Sequence, residues 1–182
     1  MLLRLSTDKN LGIHDTITYQ LKTKWGEEYK DNESREGREY LRFKRDSSVD
    51  DWELTDKWHG LINGNKAELI NENQRQIKLV FSPSLSKQWN ANAYNSDENL
   101  ECYYRDIHGD TTINGIHLKN TLVVETDWTP NPIDDKRYFE VYAKGIGLVY
   151  KHYRNNKFFS FNDNEVGIGK EVYYSFHSTG IE

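Results

Sequence analysis

Apolar and polar residues alternate along most of this chain with a period of two, as in a strand with one buried and one wet face. In "HDTITYQLKTKW" (14–25), Ile17, Tyr19, Leu21 and Thr23 share one side, and Thr16, Thr18, Gln20 and Lys22 share the other. "REYLRFKR" (38–45) sets Tyr40, Arg42 and Lys44 against Leu41, Phe43 and Arg45. "DWELTDKW" (51–58) places Trp52, Leu54, Asp56 and Trp58 on one face. "KAELINEN" and "RQIKLVF" read as two more strands joined by a short polar link; a helix over 67–75 would be short and lacks a capping box. Further strands are expected in "LECYYRDI", "LKNTLVVETDW", "YFEVYAKGIGLVYKHYR" (138–154) and "KEVYYSFHS".

Turn chemistry separates these runs. Asn63-Gly64 and Asn114-Gly115 are hairpin dipeptides, because both residue types tolerate positive φ. "KDNESREG" (30–37) and "TPNPIDD" (129–135) read as loops, and Asn155-Asn156 reads as a turn. "SPSLSKQWNANAYNSDEN" (82–99) is a long polar loop able to tuck in Trp89 and Tyr94. Turn signals recur about every 8–15 residues, the spacing of an antiparallel meander or barrel. The expectation is a single all-β domain over 1–182: an antiparallel meander of about 8–11 strands forming a strongly curved sheet or incomplete barrel.

The glycines in "AKGIGLVY" raise a separate question. A phosphate-binding glycine loop must open a helix, whose N-terminal amides face the anion. Here Gly145 and Gly147 are followed by Leu148, Val149 and Tyr150, which favour strand, with no Gly-Lys-Ser/Thr. "VGIGKEV" (166–172) likewise runs into a strand-like segment. Gly145 and Gly147 are therefore expected to serve as a structural turn between two strands.

Composition sharpens this picture. The chain has 182 residues and a mean hydropathy of −0.90, yet carries 12 Tyr, 7 Phe and 5 Trp, which argues against disorder. Net charge is −5, and the most basic run, "REGREYLRFKR", alternates with glutamates, so no nucleic-acid partner is expected. No stretch approaches the ~20 apolar residues of a membrane span, and "MLLRLSTDKN" is too short in apolar residues to read as a signal peptide. Cys102, the single cysteine, reads as an inert buried thiol.

Candidate chemistry is sparse. Asp106, His108 and Asp110 in "DIHGD" would share a face if the segment is a strand, and are the best metal candidates, with His117 across the hairpin; the competing reading is a hairpin entry in which Asp and Gly form the turn. Glu68, Glu72, Glu125 and Glu140 could offer a carboxylate pair. Neither set has a specific motif, so no enzyme, metal site or cofactor is assigned; a metal-dependent hydrolase on Asp106, His108 and Asp110 is the runner-up, and a purely structural module the third reading. Trp25, Trp52, Trp58, Trp89 and Trp128 could line a site for a sugar or an apolar ligand.

Several strings together carry a resemblance: "REYLRFKRDSSVDDWELTDKWHG", "AELINENQRQIKLVF", "KQWNANAYN" and "EVYAKGIGLVYKHY". They hold Trp52 and Trp58, a Glu72-Asn73 turn, the strand 78–81, the Trp-Asn-x-Asn loop 89–92 and the element 141–149. Over residues 15–153 the chain resembles a group of uncharacterised small cell-envelope lipoproteins of Bacteroidetes. The resemblance implies export and an acylated N-terminal cysteine, with the membrane engaged only through that lipid. It brings no catalytic residues. The sequence departs from the group at its start, where a signal peptide, a lipidation cysteine and a first strand are expected; a lost strand would leave an unpaired edge. The expectation is a non-catalytic envelope protein binding a small molecule, a glycan or an envelope protein on a curved sheet. The ligand residues expected are Trp89, Asn90, Asn92 and Trp58.

Overall fold

The computed structural model describes residues 2–8, 10–126, 133–158 and 166–180. The regular elements there are twelve strands: β1 (Leu2–Asp8), β2 (Ile13–Lys30), β3 (Glu36–Arg45), β4 (Glu53–Asn63), β5 (Lys66–Asn71), β6 (Gln74–Val80), β7 (Gln88–Asn90), β8 (Glu101–Ile113), β9 (Ile116–Thr126), β10 (Asp134–Ala143), β11 (Gly147–Lys157) and β12 (Ile168–Ser175). The loop 129–135 and Trp128 fall largely or wholly outside the described residues. Hydrogen-bonded order is β6-β5-β4-β3-β2-β1-β12-β11-β10-β9-β8-β7, so all but one pair of chain-adjacent strands are sheet neighbours.

That exception is the seam between β6 and β7, the two ends of the order. No strand ladder joins them among the described residues. Instead Ile77 N donates to Ala91 O (2.9 Å), the Trp89 indole N–H donates to Ile77 O (3.1 Å), and Arg75 N donates to Asn95 Oδ1 (2.8 Å). The protein is thus an all-β antiparallel meander with the strand order of a nearly closed barrel and one unsealed seam. Exposed sheet edges invite pairing with other chains, and these loop contacts occupy part of the one edge that β6 offers.

Contacts divide the chain into two compact units, Gln20–Tyr103 on one hand and Met1–Tyr19 with Tyr104–Glu182 on the other. In Gln20–Tyr103, Leu61, Glu68 and Ile77 pair in register across β4, β5 and β6 and are all buried. Trp89 and Ala91 are buried beside the seam. In the other unit, Leu118, Val123, Val141, Ala143 and Val149 form the core, with Ile113, Ile116, Phe139, Tyr150 and Phe176 packed on it. The β8–β9 turn uses Asn114 (φ 50°) and Gly115 (φ 78°), as its dipeptide predicts, and Asn114 Nδ2 donates to Phe176 O (2.7 Å). Gly145 (φ 79°) and Gly147 (φ 100°) lie at the turn between β10 and β11 and lead into no helix.

Ahead of β2 lies β1, paired with β2 on one edge and with β12 on the other. Three expectations change. Asn155-Asn156 is no turn: β11 runs through both, because Asn156 is buried against Gly169 of β12 and a side chain at Gly169 would collide with its amide. Residues 13–18 of β2 are exposed on both faces and residues 19–22 are half-buried on both, so the alternation expected over 14–25 does not appear in their burial. Trp52 and Trp58 do not share a face, because the β3–β4 register shifts at Arg42/Phe43. Lys22 and Arg45 lie over Trp52, whereas Arg42 lies over Trp58.

Trp89 tests the seam. Trp89→Phe keeps one aromatic ring but loses the indole N–H bond to Ile77 O and part of the buried ring volume, at a cost of about 2 kcal/mol. Trp89→Ala empties a buried site, at a cost of about 3–5 kcal/mol. Denaturant unfolding of both variants reads the difference.

Candidate functional site: an aromatic row on β2, β3 and β4

Burying Leu61 turns its neighbours on β4 to the opposite face. On that face Trp25 of β2, Tyr40 of β3 and Trp58 of β4 are direct cross-strand partners. The Trp25 and Tyr40 rings meet edge to face (5.0 Å, 61°), and those of Tyr40 and Trp58 are nearly parallel (6.3 Å, 23°). Trp25 is 54% exposed, an unusual cost for the largest side chain.

The indole of Trp25 is nevertheless held. It reaches from β2 across β3 until its benzo edge meets Gly60 of β4, where an added Cβ would sit 2.7 Å from two ring carbons. A side chain that crosses a neighbouring strand runs along the sheet and does not project from it. Beside the row, Arg42 lies over Trp58 (4.2 Å) and donates to Asp56 Oδ2 (3.1 Å); Thr55 Oγ1 donates to the same oxygen (2.8 Å). Arg38, next on this face of β3, donates to Gly26 O (3.0 and 3.2 Å). Fixed aromatic rings with an ion pair alongside provide contact area at low entropic cost.

Of the residues expected to bind, only Trp58 lies in this row. Trp89 is 8% exposed, with its indole N–H spent on the seam. Asn90 Oδ1 accepts from Asn92 N and Leu100 N (both 2.9 Å), and its amide donates to Asn99 Oδ1 (2.8 Å). Asn92 Nδ2 donates to Glu98 O (2.8 Å), and its Oδ1 accepts from Gln76 (3.3 Å). These three residues hold the 88–100 segment in place. The alignment of Trp25, Tyr40 and Trp58 is not legible from spacing, because register shifts at Trp25/Glu28 and Arg42/Phe43 set the pairing. Gly60, directly after Trp58-His59, was the available hint.

The "DIHGD" segment is an irregular stretch of β8. His108 has φ 61°, Asp110 Oδ1 accepts from Asn120 N (3.1 Å), and Gly109 leaves room for the Asp106 carboxylate. His117 lies 3.7 Å from Asp110, but no group of three metal-ligating side chains occurs among the described residues. Glu68 is ion-paired with Arg75, and Glu125 with Arg105.

Two polar clusters lie in the other unit. Glu140, 2% exposed, accepts from the hydroxyls of Tyr138 and Tyr142 (both 2.5 Å), with Lys151 at 3.4 Å. Glu171 Oε1 meets His152 Nε2 (2.7 Å), Arg154 Nε (2.6 Å) and the Tyr173 hydroxyl (2.5 Å), and Arg154 also reaches Asp135 (3.0 Å). Burial pushes the Glu171 carboxyl up, but the bonds from Tyr173, His152 and Arg154 outweigh it and hold the group below its ordinary value. Tyr173 is pushed up, by burial first and then by Glu171.

No protein-family model, no curated protein and no solved structure matches the chain.

The Glu171 cluster gives a pH prediction. With its folded pKa below the unfolded 4.5, Glu171 contributes its full stabilisation above that pH and loses it as pH falls through the folded value. Glu171→Gln should cost about 2–3 kcal/mol at pH 7. The gap between wild type and variant should close below pH 4.5, as read by urea unfolding across pH.

Proposed function

We propose that this chain is a non-catalytic binding protein of the cell envelope whose ligand docks on the Trp25–Tyr40–Trp58 face. The observation that carries the reading is Trp25, exposed yet held in one pose by Tyr40 and Gly60. Folding stability alone favours covering such a ring, whereas recognition favours presenting it rigidly. Trp, Tyr and Arg are also the residues that most often dominate binding energy, and this face holds Trp25, Trp58, Tyr40 and Arg42 together. The envelope location rests on the lipoprotein resemblance.

Each half has its own test. Immobilised wild-type protein should retain a component of solubilised envelope extract, and Trp25→Ala should lower that retention about tenfold with unchanged circular dichroism. Equal retention by both would refute the site. For location, the native membrane fraction should hold a species heavier than 21.5 kDa by acyl chains and additional N-terminal residues. A 21.5 kDa species confined to the soluble fraction would refute the envelope reading.

A further inference from the structure

Resting on that reading of the face, we infer that the ligand is an uncharged saccharide chain. Charge on the face is the first argument. Arg42 is neutralised by Asp56, Arg38 is bound to a backbone carbonyl, and Lys44 is paired with Asp46. An anionic ligand would meet the Asp56 carboxylate, and a cationic one would meet Arg42 and Arg38. A charged ligand that competes for Arg42 or Asp56 would have to break their ion pair, with the desolvation penalty that follows. A neutral ligand leaves the pair intact.

Ring geometry is the second argument. The ring centroids lie 5.0 Å apart from Trp25 to Tyr40 and 6.3 Å apart from Tyr40 to Trp58, steps close to the length of one pyranose ring. Trp25 runs along the sheet as far as Gly60, so it offers surface to lie on and no knob to fill a partner's pocket. Protein hot spots fill desolvated pockets, and interface cores are poor in charged residues. This row instead has an ion pair at its side. The C–H face of a sugar matches an exposed ring.

Hydrogen bonding is the third. Both bonds to Asp56 fall on Oδ2, and the side chain is 32% exposed. Among the described residues Oδ1 has no donor, so it can accept from a ligand hydroxyl. Ionised acceptors give the stronger hydrogen bonds, and sugars supply hydroxyl donors in number.

The test divides solubilised envelope extract into a protease-treated half and a periodate-treated half, and passes each over wild-type, Trp25→Ala and Asp56→Asn protein. Trp25-dependent retention should survive protease, which leaves glycans, and vanish after periodate, which cleaves vicinal diols. Asp56→Asn should weaken it about fivefold or more, and the released component should not bind an anion exchanger. Retention that survives periodate but not protease would overturn the inference and leave the face as a protein-binding site. A released component that does bind the exchanger would overturn the uncharged class. If neither half shows Trp25-dependent retention, the reading of the face itself fails.

Discussion

Side chains alternate across a strand, so a sheet cannot bury one row without turning the next row the other way. Here the buried row is Leu61, Glu68 and Ile77 across β4, β5 and β6. The row it turns outward includes Gly60, the neighbour of Leu61, and Trp58 two residues before it. Gly60 provides the flat place on which the Trp25 indole rests. The position of the candidate site is therefore a consequence of core packing. What core packing does not account for is a tryptophan at the exposed position of Trp25, and the proposed function rests on that observation.

The same alternation explains how so polar a chain folds. Buried or half-buried carboxylates recur, each enclosed by amphipathic partners: Glu68 by Arg75 and Asn63, Glu140 by Tyr138 and Tyr142, and the half-buried Glu171 by His152, Arg154 and Tyr173. Tyrosine fills sheet surface with its ring and satisfies a carboxylate with its hydroxyl. Twelve tyrosines thus supply volume that aliphatic residues would otherwise provide. A carboxylate left without such partners in these places would be strongly destabilising, so the Glu68 and Glu171 clusters, whose partners lie on neighbouring strands, also favour the observed register.

Fold class was legible because it depends on local signals. Period-two alternation marked the strands, and Asn114-Gly115 and the Gly145/Gly147 pair marked turns that the structure contains. What failed depends on pairing. Asn155-Asn156 looks like a turn until Gly169 is seen opposite Asn156. Trp52 and Trp58 count onto one face until a register shift separates them. The candidate face suffered in the same way: Trp25, Tyr40 and Trp58 stand far apart in sequence, and only register brings them together. Trp89, Asn90 and Asn92 were conspicuous as a string, and their described bonds are internal to the 88–100 segment and the seam.

Tryptophan oxidation footprinting, read by peptide mass spectrometry, addresses the central claim most directly. Among the described tryptophans of the free protein, Trp25 should oxidise fastest and Trp89 slowest, and adding solubilised envelope material should slow Trp25 selectively. A Trp25 already protected in the free protein, or one whose rate is indifferent to envelope material, would contradict the assignment of this face as the binding site.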